Sequence, residues 1–257
     1  MSAPPPSPAA PMPATPSLPP LPPHEPVAEL GEIGVLAFTT TRAAGTFGLS
    51  GSDPVGEVML RWAHLADAVS PSAHRIASLR QVHGATVVVH TEGWRGWLRV
   101  PDADGHVTRV PGTAMTVGVA DCIPIFIAHP SGACGILHSG WRGTAGRILE
   151  QGIARMKILG CAPADLVVHL GPAVCGKCYE VGPDVYAQLT GRTADAPTRV
   201  DLRAIVTEQA RRCGVRNISA TSHCTRCDND RYFSHRAGDS GRQVGVIVAP
   251  EARRRSG

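Results

Sequence analysis

Twelve of the chain's 23 prolines fall within residues 1–27, and this segregation decides where folding begins. Proline lacks a backbone N–H and fixes φ, so a run this dense enters neither a helix interior nor a central strand. Mixed with Ala and Ser, the stretch has no apolar periodicity and cannot bury enough surface to offset its ordering entropy. Residues 1–27 are therefore expected to form a disordered, partly polyproline II arm. A domain of residues 28–250 is expected next, followed by a basic tail, 251–257, that carries Arg253, Arg254 and Arg255. A length of 257 residues allows one large domain with a sizeable core.

Hydrophobic residues make up 43% of the chain and aromatics only 4%, so the core must rely on Val, Ile, Leu and Ala. The formal charge of +4 is modest, and no basic stripe interleaves with aromatics, which argues against a nucleic-acid partner. No stretch approaches a membrane span, and the prolines interrupt the apolar run that a secretory signal requires. A cytoplasmic monomer without a membrane partner is expected. Its eight cysteines then read first as thiols or metal ligands rather than as a disulfide framework.

Short β-branched runs outnumber helical patterns. Strands are predicted at residues 33–39, 85–90, 113–119, 123–128, 133–137, 166–170, 218–222 and 243–248. A helix is predicted over 58–68 with Leu60, Ala63, Leu65 and Ala68 near one face. A second spans 144–159 and buries Ile148, Leu149, Ile153 and Met156. Asp201 is the predicted N-cap of a third, which carries Leu202, Ile205, Val206, Ala210 and Cys213 on one side and is closed by Gly214. Strands and helices do not alternate strictly, so an α+β layered domain fits better than a doubly wound sheet.

Three residues stand at predicted element edges beside glycine or short polar residues: His83, Cys122 and His138. Two neutral imidazoles and a thiolate suit zinc or copper, and three protein ligands leave a fourth position open. Taken singly, each also has a structural reading, as a hydrogen-bonded histidine or a small buried hydrophobe. Their spacing of 39 and 16 positions makes no compact metal motif.

The motifs around them carry more weight. Gln81-Val82-His83-Gly84, Ala120-Asp121-Cys122-Ile123-Pro124 and His138-Ser139-Gly140-Trp141-Arg142-Gly143 occur in that order. Leu170-Gly171-Pro172-Ala173, Cys178-Tyr179-Glu180-Val181-Gly182 and Tyr232-Phe233-Ser234-His235-Arg236 follow. Together they resemble the laccase-domain or YfiH-like family, whose members have been called multicopper polyphenol oxidase, purine nucleoside phosphorylase and peptidoglycan editing factor. The likeness runs from about Thr39 to Val248. It implies a single α/β/β/α domain with mixed sheets, and it implies that His83, Cys122 and His138 ligate the metal.

Around that set, Arg142 precedes a predicted helix start, where Gly140 to Gly143 form either an anion cradle or merely a tight turn. Arg42 matches the family's early Thr-Arg-x-Gly-Gly loop, with Ala44 replacing the first glycine, and is a candidate for phosphate or ribose. Arg236 and His235 match a Ser-Tyr-Arg-Arg stretch in which Ala237 replaces the second arginine. Asp104 either orients a ligand imidazole or makes an Asx turn. Cys122, Arg42, Arg142 and Asp104 are thus the catalytic candidates. Cys175, Cys178, Cys224 and Cys227 form two CxxC pairs, which read as a second, structural zinc site, as a disulfide or redox pair, or as unlinked thiols; their 46-residue separation is longer than usual for zinc.

The resemblance implies phosphorolysis of adenosine, inosine and methylthioadenosine to free base and ribose 1-phosphate, with adenosine deamination. Purine nucleoside and phosphate would then be the partners. Three alternatives stay open: hydrolytic editing of peptidoglycan precursors, copper-dependent phenol oxidation, and a non-catalytic zinc module whose proline arm recruits an SH3-like partner. No His-x-His pair is present among the eleven histidines, which places the oxidase last.

Overall fold

Runs such as Ile123–Ala128 and Gln243–Ala249 are apolar at nearly every position, the pattern of strands covered on both faces. In a computed structural model, which describes residues 18–251, these strands lie at the centre of two stacked six-stranded mixed sheets. The first sheet runs in the order His24–Pro26, Leu36–Thr40, Gln243–Ala249, Thr113–Val119, Arg75–Leu79, Gly96–Val100. The second runs Asn217–Ala220, Val167–Leu170, Ile123–Ala128, Cys134–Ser139, Gly105–Thr108, Val87–His90.

Alternate residues of each strand feed different cores. Ile123, Ile125 and Ile127 pack beneath the helices Ile148–Ile158 and Leu202–Arg212, while Phe126 and Ala128 face the other sheet. Val244, Val246 and Val248 pack against the helix Val55–Val69, while Ile247 and Ala249 join the inter-sheet core. Three apolar layers therefore separate four layers of structure. The domain is α+β with an α/β/β/α arrangement and no closed barrel. Among the described residues no helix is long and apolar enough to cross a membrane.

The structure corrects several expectations. The helix Val55–Val69 buries Val58, Trp62, Leu65 and Val69, and Leu60 points outward at 72% exposure. The helix expected over 144–159 is two pieces, Trp141–Ala145 and Ile148–Ile158, because Arg147 takes a left-handed conformation between them. The proline-rich stretch does not remain an arm to residue 27. His24–Pro26 pairs with Leu36–Thr40 at a sheet edge, where proline's missing N–H costs no ladder bond, and Val27 is buried. Residues 1–17 and the Arg253–Arg255 run lie outside the described residues. Asp201 does cap its helix, accepting the N–H groups of Arg203 and Ala204.

Candidate metal centre

Asp104 is fully buried at the start of the Gly105–Thr108 strand. Its carboxylate accepts three successive backbone N–H groups, from Val82 (3.2 Å), His83 (2.9 Å) and Gly84 (2.7 Å). Such a nest holds an anion and wraps the 82–84 turn around it. His83 takes a φ of +59° to complete the wrap. The same carboxylate lies 2.8 Å from His138 Nδ1, which leaves Nε2 of that ring facing the cleft. Burial alone would raise the Asp104 carboxyl, but the hydrogen bonds from His138, Gly84 and Val82 hold it below the usual carboxylate range.

Cys122 is positioned from the other side. Asp121 holds a φ of +79°, uncommon for a residue with a Cβ, and turns the chain into the Ile123–Ala128 strand. Its carboxylate accepts the Thr225 hydroxyl (2.6 Å), the Ser234 hydroxyl (2.7 Å) and the Arg236 N–H (2.7 Å). These contacts over-determine the strained turn. Gly140 lets the thiol approach, since a Cβ there would lie 2.8 Å from Cys122 Sγ.

The structure thus brings His83, Cys122 and His138 together. The two imidazoles stand 4.9 Å apart at 77°, and one ligand atom from each of the three residues lies within 4.8 Å of the others. Two nitrogens and a sulfur spaced this way fit one thiophilic ion, with a fourth position left for a small molecule. Burial pushes the Cys122 thiol up, but the charge of His138 and hydrogen bonds from both imidazoles outweigh it and bring it to about 6. Burial likewise pushes His138 down, and the Cys122 thiolate with Asp104 lifts it to about 9. Both shifts favour charge separation between the Cys122 sulfur and the His138 ring, and the thiolate is the form in which a cysteine ligates a cation.

A cleft of about 1000 Å³ opens over this group, lined also by Gln81, Arg99, Arg142, Tyr179 and Arg236. The Arg142 guanidinium lies over the Trp141 ring at 4.3 Å, and that of Arg236 over Tyr179 at 4.6 Å. Arg42 does not join them. Its guanidinium donates to the carbonyls of Asn229 and Tyr232 and to the Asp239 carboxylate, fastening the 229–239 loop. The glycines after His138 serve close packing rather than a long helix start: the helix there has five residues, and a Cβ at Gly143 would meet the Gly84 carbonyl at 3.1 Å. Tyr179 and Arg236 have only their places in motifs to mark them in the sequence. Arg99, on an exposed edge strand, has no local signal at all.

Fold and site together define an α+β domain with a His₂Cys group, spaced for one metal ion, at the base of an arginine-lined cleft. The chain belongs to the family described as multi-copper polyphenol oxidoreductase laccase, whose model matches residues 39–250. It is 34% identical over 237 residues to the purine nucleoside phosphorylase of Deinococcus radiodurans, covering 85% of this chain and 90% of that one. It is 33% identical over 208 residues to a purine nucleoside phosphorylase of Streptomyces coelicolor, covering 78% and 85% of the two chains. Among solved structures, YlmD from Geobacillus stearothermophilus superimposes with a TM-score of 0.79 at 30% identity, covering 85% of this chain and 93% of that one. Bacillus licheniformis YfiH gives 0.79 at 25% identity, with 88% and 96% covered.

Proposed function

We propose that this protein is a zinc-dependent purine nucleoside phosphorylase. It cleaves adenosine, inosine and methylthioadenosine to the free base and the sugar 1-phosphate, and it also deaminates adenosine. The observation that carries the reading is the opening of His83, Cys122 and His138 into the same cleft as Arg142 and Arg236. The phosphorylase names of relatives 33–34% identical support the phosphorolytic part.

Held by His83, Cys122 and His138, the ion would supply Lewis acidity, which suits activation of water or polarisation of a substrate oxygen. The chain's own groups do the rest. Asp104 takes the Nδ1–H of His138 and so leaves Nε2 as the ligating nitrogen. Arg142 and Arg236 offer planar forks that match a phosphate dianion. In phosphorolysis a phosphate oxygen bonds to ribose C1′ as the C1′–N9 bond breaks, and the purine leaves with the electron pair. The arginines hold the nucleophile in line with that bond. In deamination water adds at purine C6 and ammonia departs.

Peptidoglycan-precursor editing would use the same centre but is a hydrolysis, with no requirement for inorganic phosphate as a co-substrate. Phenol oxidation by several coppers needs further histidine clusters. Among the described residues, the other group of three or more converging ligand side chains is entirely cysteine.

Zinc-loaded protein incubated with adenosine, with and without phosphate, tests the reading. Adenine and ribose 1-phosphate should form only with phosphate, and inosine in either condition. Turnover should vanish in Cys122→Ala. Unchanged turnover in that variant, or none in the wild type, overturns the proposal.

A further inference from the structure

Cys175, Cys178, Cys224 and Cys227 lie 49 residues apart in two pairs, yet their four sulfurs converge to within 4.8 Å of one another. Backbone contacts build this convergence. Ala173 and Cys224 form a parallel bridge, and Thr225 N–H donates to the Ala173 carbonyl. Each CxxC then closes a turn: Cys178 N–H donates to the Cys175 carbonyl, and Asp228 N–H donates to that of Cys224. Cys224 Sγ accepts two backbone N–H groups, from Cys175 at 3.2 Å and Cys227 at 3.4 Å. Cys178 Sγ and Cys227 Sγ stand 3.4 Å apart, well beyond a disulfide bond of about 2.05 Å. A tetrahedral zinc with bonds of about 2.3 Å places its four sulfurs nearly 3.8 Å apart, a spacing this cluster approaches without rearrangement of its turns.

We propose that these four cysteines form a tetrathiolate zinc site, separate from the His83–Cys122–His138 centre. Four thiolates around a divalent ion leave two negative charges, and Lys177 and Arg226 sit inside the two turns, with Arg226 donating to the Cys178 carbonyl at 3.3 Å. All four positions are filled by protein, so the site is structural and closed. Its place explains what it braces. Tyr179, which follows Cys178, lines the cleft beneath the Arg236 guanidinium. Thr225, which follows Cys224, bonds Asp121 next to the ligand Cys122. The ion ties two chain segments 49 residues apart at the back of the cleft wall.

The test counts zinc in the full chain, purified under reducing conditions with zinc present. Wild type should carry two zinc ions per chain, Cys178→Ser/Cys227→Ser one, and Cys122→Ala combined with that pair none. Wild-type thiol footprinting guards against misfolded variants: all four cysteines should resist alkylation until a strong chelator is added, then react. One zinc in both wild type and the double variant overturns the site. So does prompt alkylation of all four thiols in the zinc-loaded protein, or a Cys178–Cys227 disulfide found in the reduced preparation.

Discussion

One carboxylate oxygen, Asp104 Oδ1, lies 2.8 Å from His138 Nδ1 and 2.9 Å from the His83 backbone nitrogen. It therefore touches two of the three proposed ligands, one through its ring and one through its main chain. Asp104→Asn keeps the volume but replaces one accepting oxygen with a donor, facing either the Val82–Gly84 amides or the imidazole. Zinc affinity should fall about 10–100-fold, the usual cost of losing an outer carboxylate partner. Competition with a calibrated chelator reads this directly, and an unchanged affinity would show that Asp104 serves the turn alone.

Gly140 offers a test of how closely Cys122 is fitted. Its backbone, φ −84° and ψ −172°, is open to alanine, so a substitution adds no local strain. The added Cβ meets Cys122 Sγ at 2.8 Å and must push the sulfur aside. Gly140→Ala should keep the metal-free unfolding midpoint nearly unchanged, yet lower zinc affinity and turnover by roughly tenfold or more. A variant that binds zinc as well as wild type would show that Cys122 has room to retreat.

The strands behind these contacts differ in how plainly the sequence marks them. Thr113–Val119 and Ile123–Ala128 are legible because burial on both faces leaves an unbroken apolar run. Gly96–Val100 is not, since it is an exposed edge strand held by ladder bonds to Arg75–Leu79 rather than by apolar patterning. The break at Arg147 is hidden because the apolar spacing continues through it. At the site, His83, Cys122 and His138 are marked only by their surrounding motifs, since distant parts of the chain bring them together. The anchoring role of Arg42 is hidden for a related reason: its partners Asn229, Tyr232 and Asp239 lie 187 to 197 residues further along the chain.

Acid should weaken the fold through a buried histidine pair that is not part of the proposed metal centre. His106 is fully buried; its Nε2 lies 3.2 Å from the Thr116 carbonyl and its Nδ1 3.2 Å from His90 Nε2. One arrangement satisfies both contacts, with His106 donating to Thr116 and His90 donating to His106, and both rings neutral. Burial, with the nearby His90, pushes His106 from 6.5 down to about 3. The unfolded chain takes up this proton below pH ~6.5 while the folded chain does not, so stability is complete above that pH and falls below it. The loss is about 1.4 kcal/mol per pH unit for the one proton. Urea unfolding at pH 7.5, 6.5 and 5.5 should show it, and His106→Gln should remove about one proton's worth of slope whatever its effect at pH 7.5. An identical slope in both proteins would place the acid sensitivity elsewhere.

Two arginines test the proposed phosphate site against loop anchoring. Arg142 lines the cleft, its guanidinium lies against its neighbour Trp141, and among the described residues it has no hydrogen-bonding side-chain partner. Arg42 is held by two carbonyls and Asp239, and stacks 4.5 Å over Phe233. Removing a charged fork from a phosphate should weaken that phosphate by about 1.5–3 kcal/mol, or roughly 10–100-fold. Arg142→Ala should therefore raise the KM for phosphate by that factor and leave phosphate-independent deamination of adenosine nearly intact. Arg42→Ala should do the reverse: lower stability by about 1–3 kcal/mol through the loosened 229–239 loop, with a far smaller change in phosphate KM. Lysine is a useful control at position 142, since it restores charge without the planar fork and should recover only part of the loss. Equal phosphate dependence in the wild type and Arg142→Ala would move the anion site to Arg236 and Arg99, which also line the cleft.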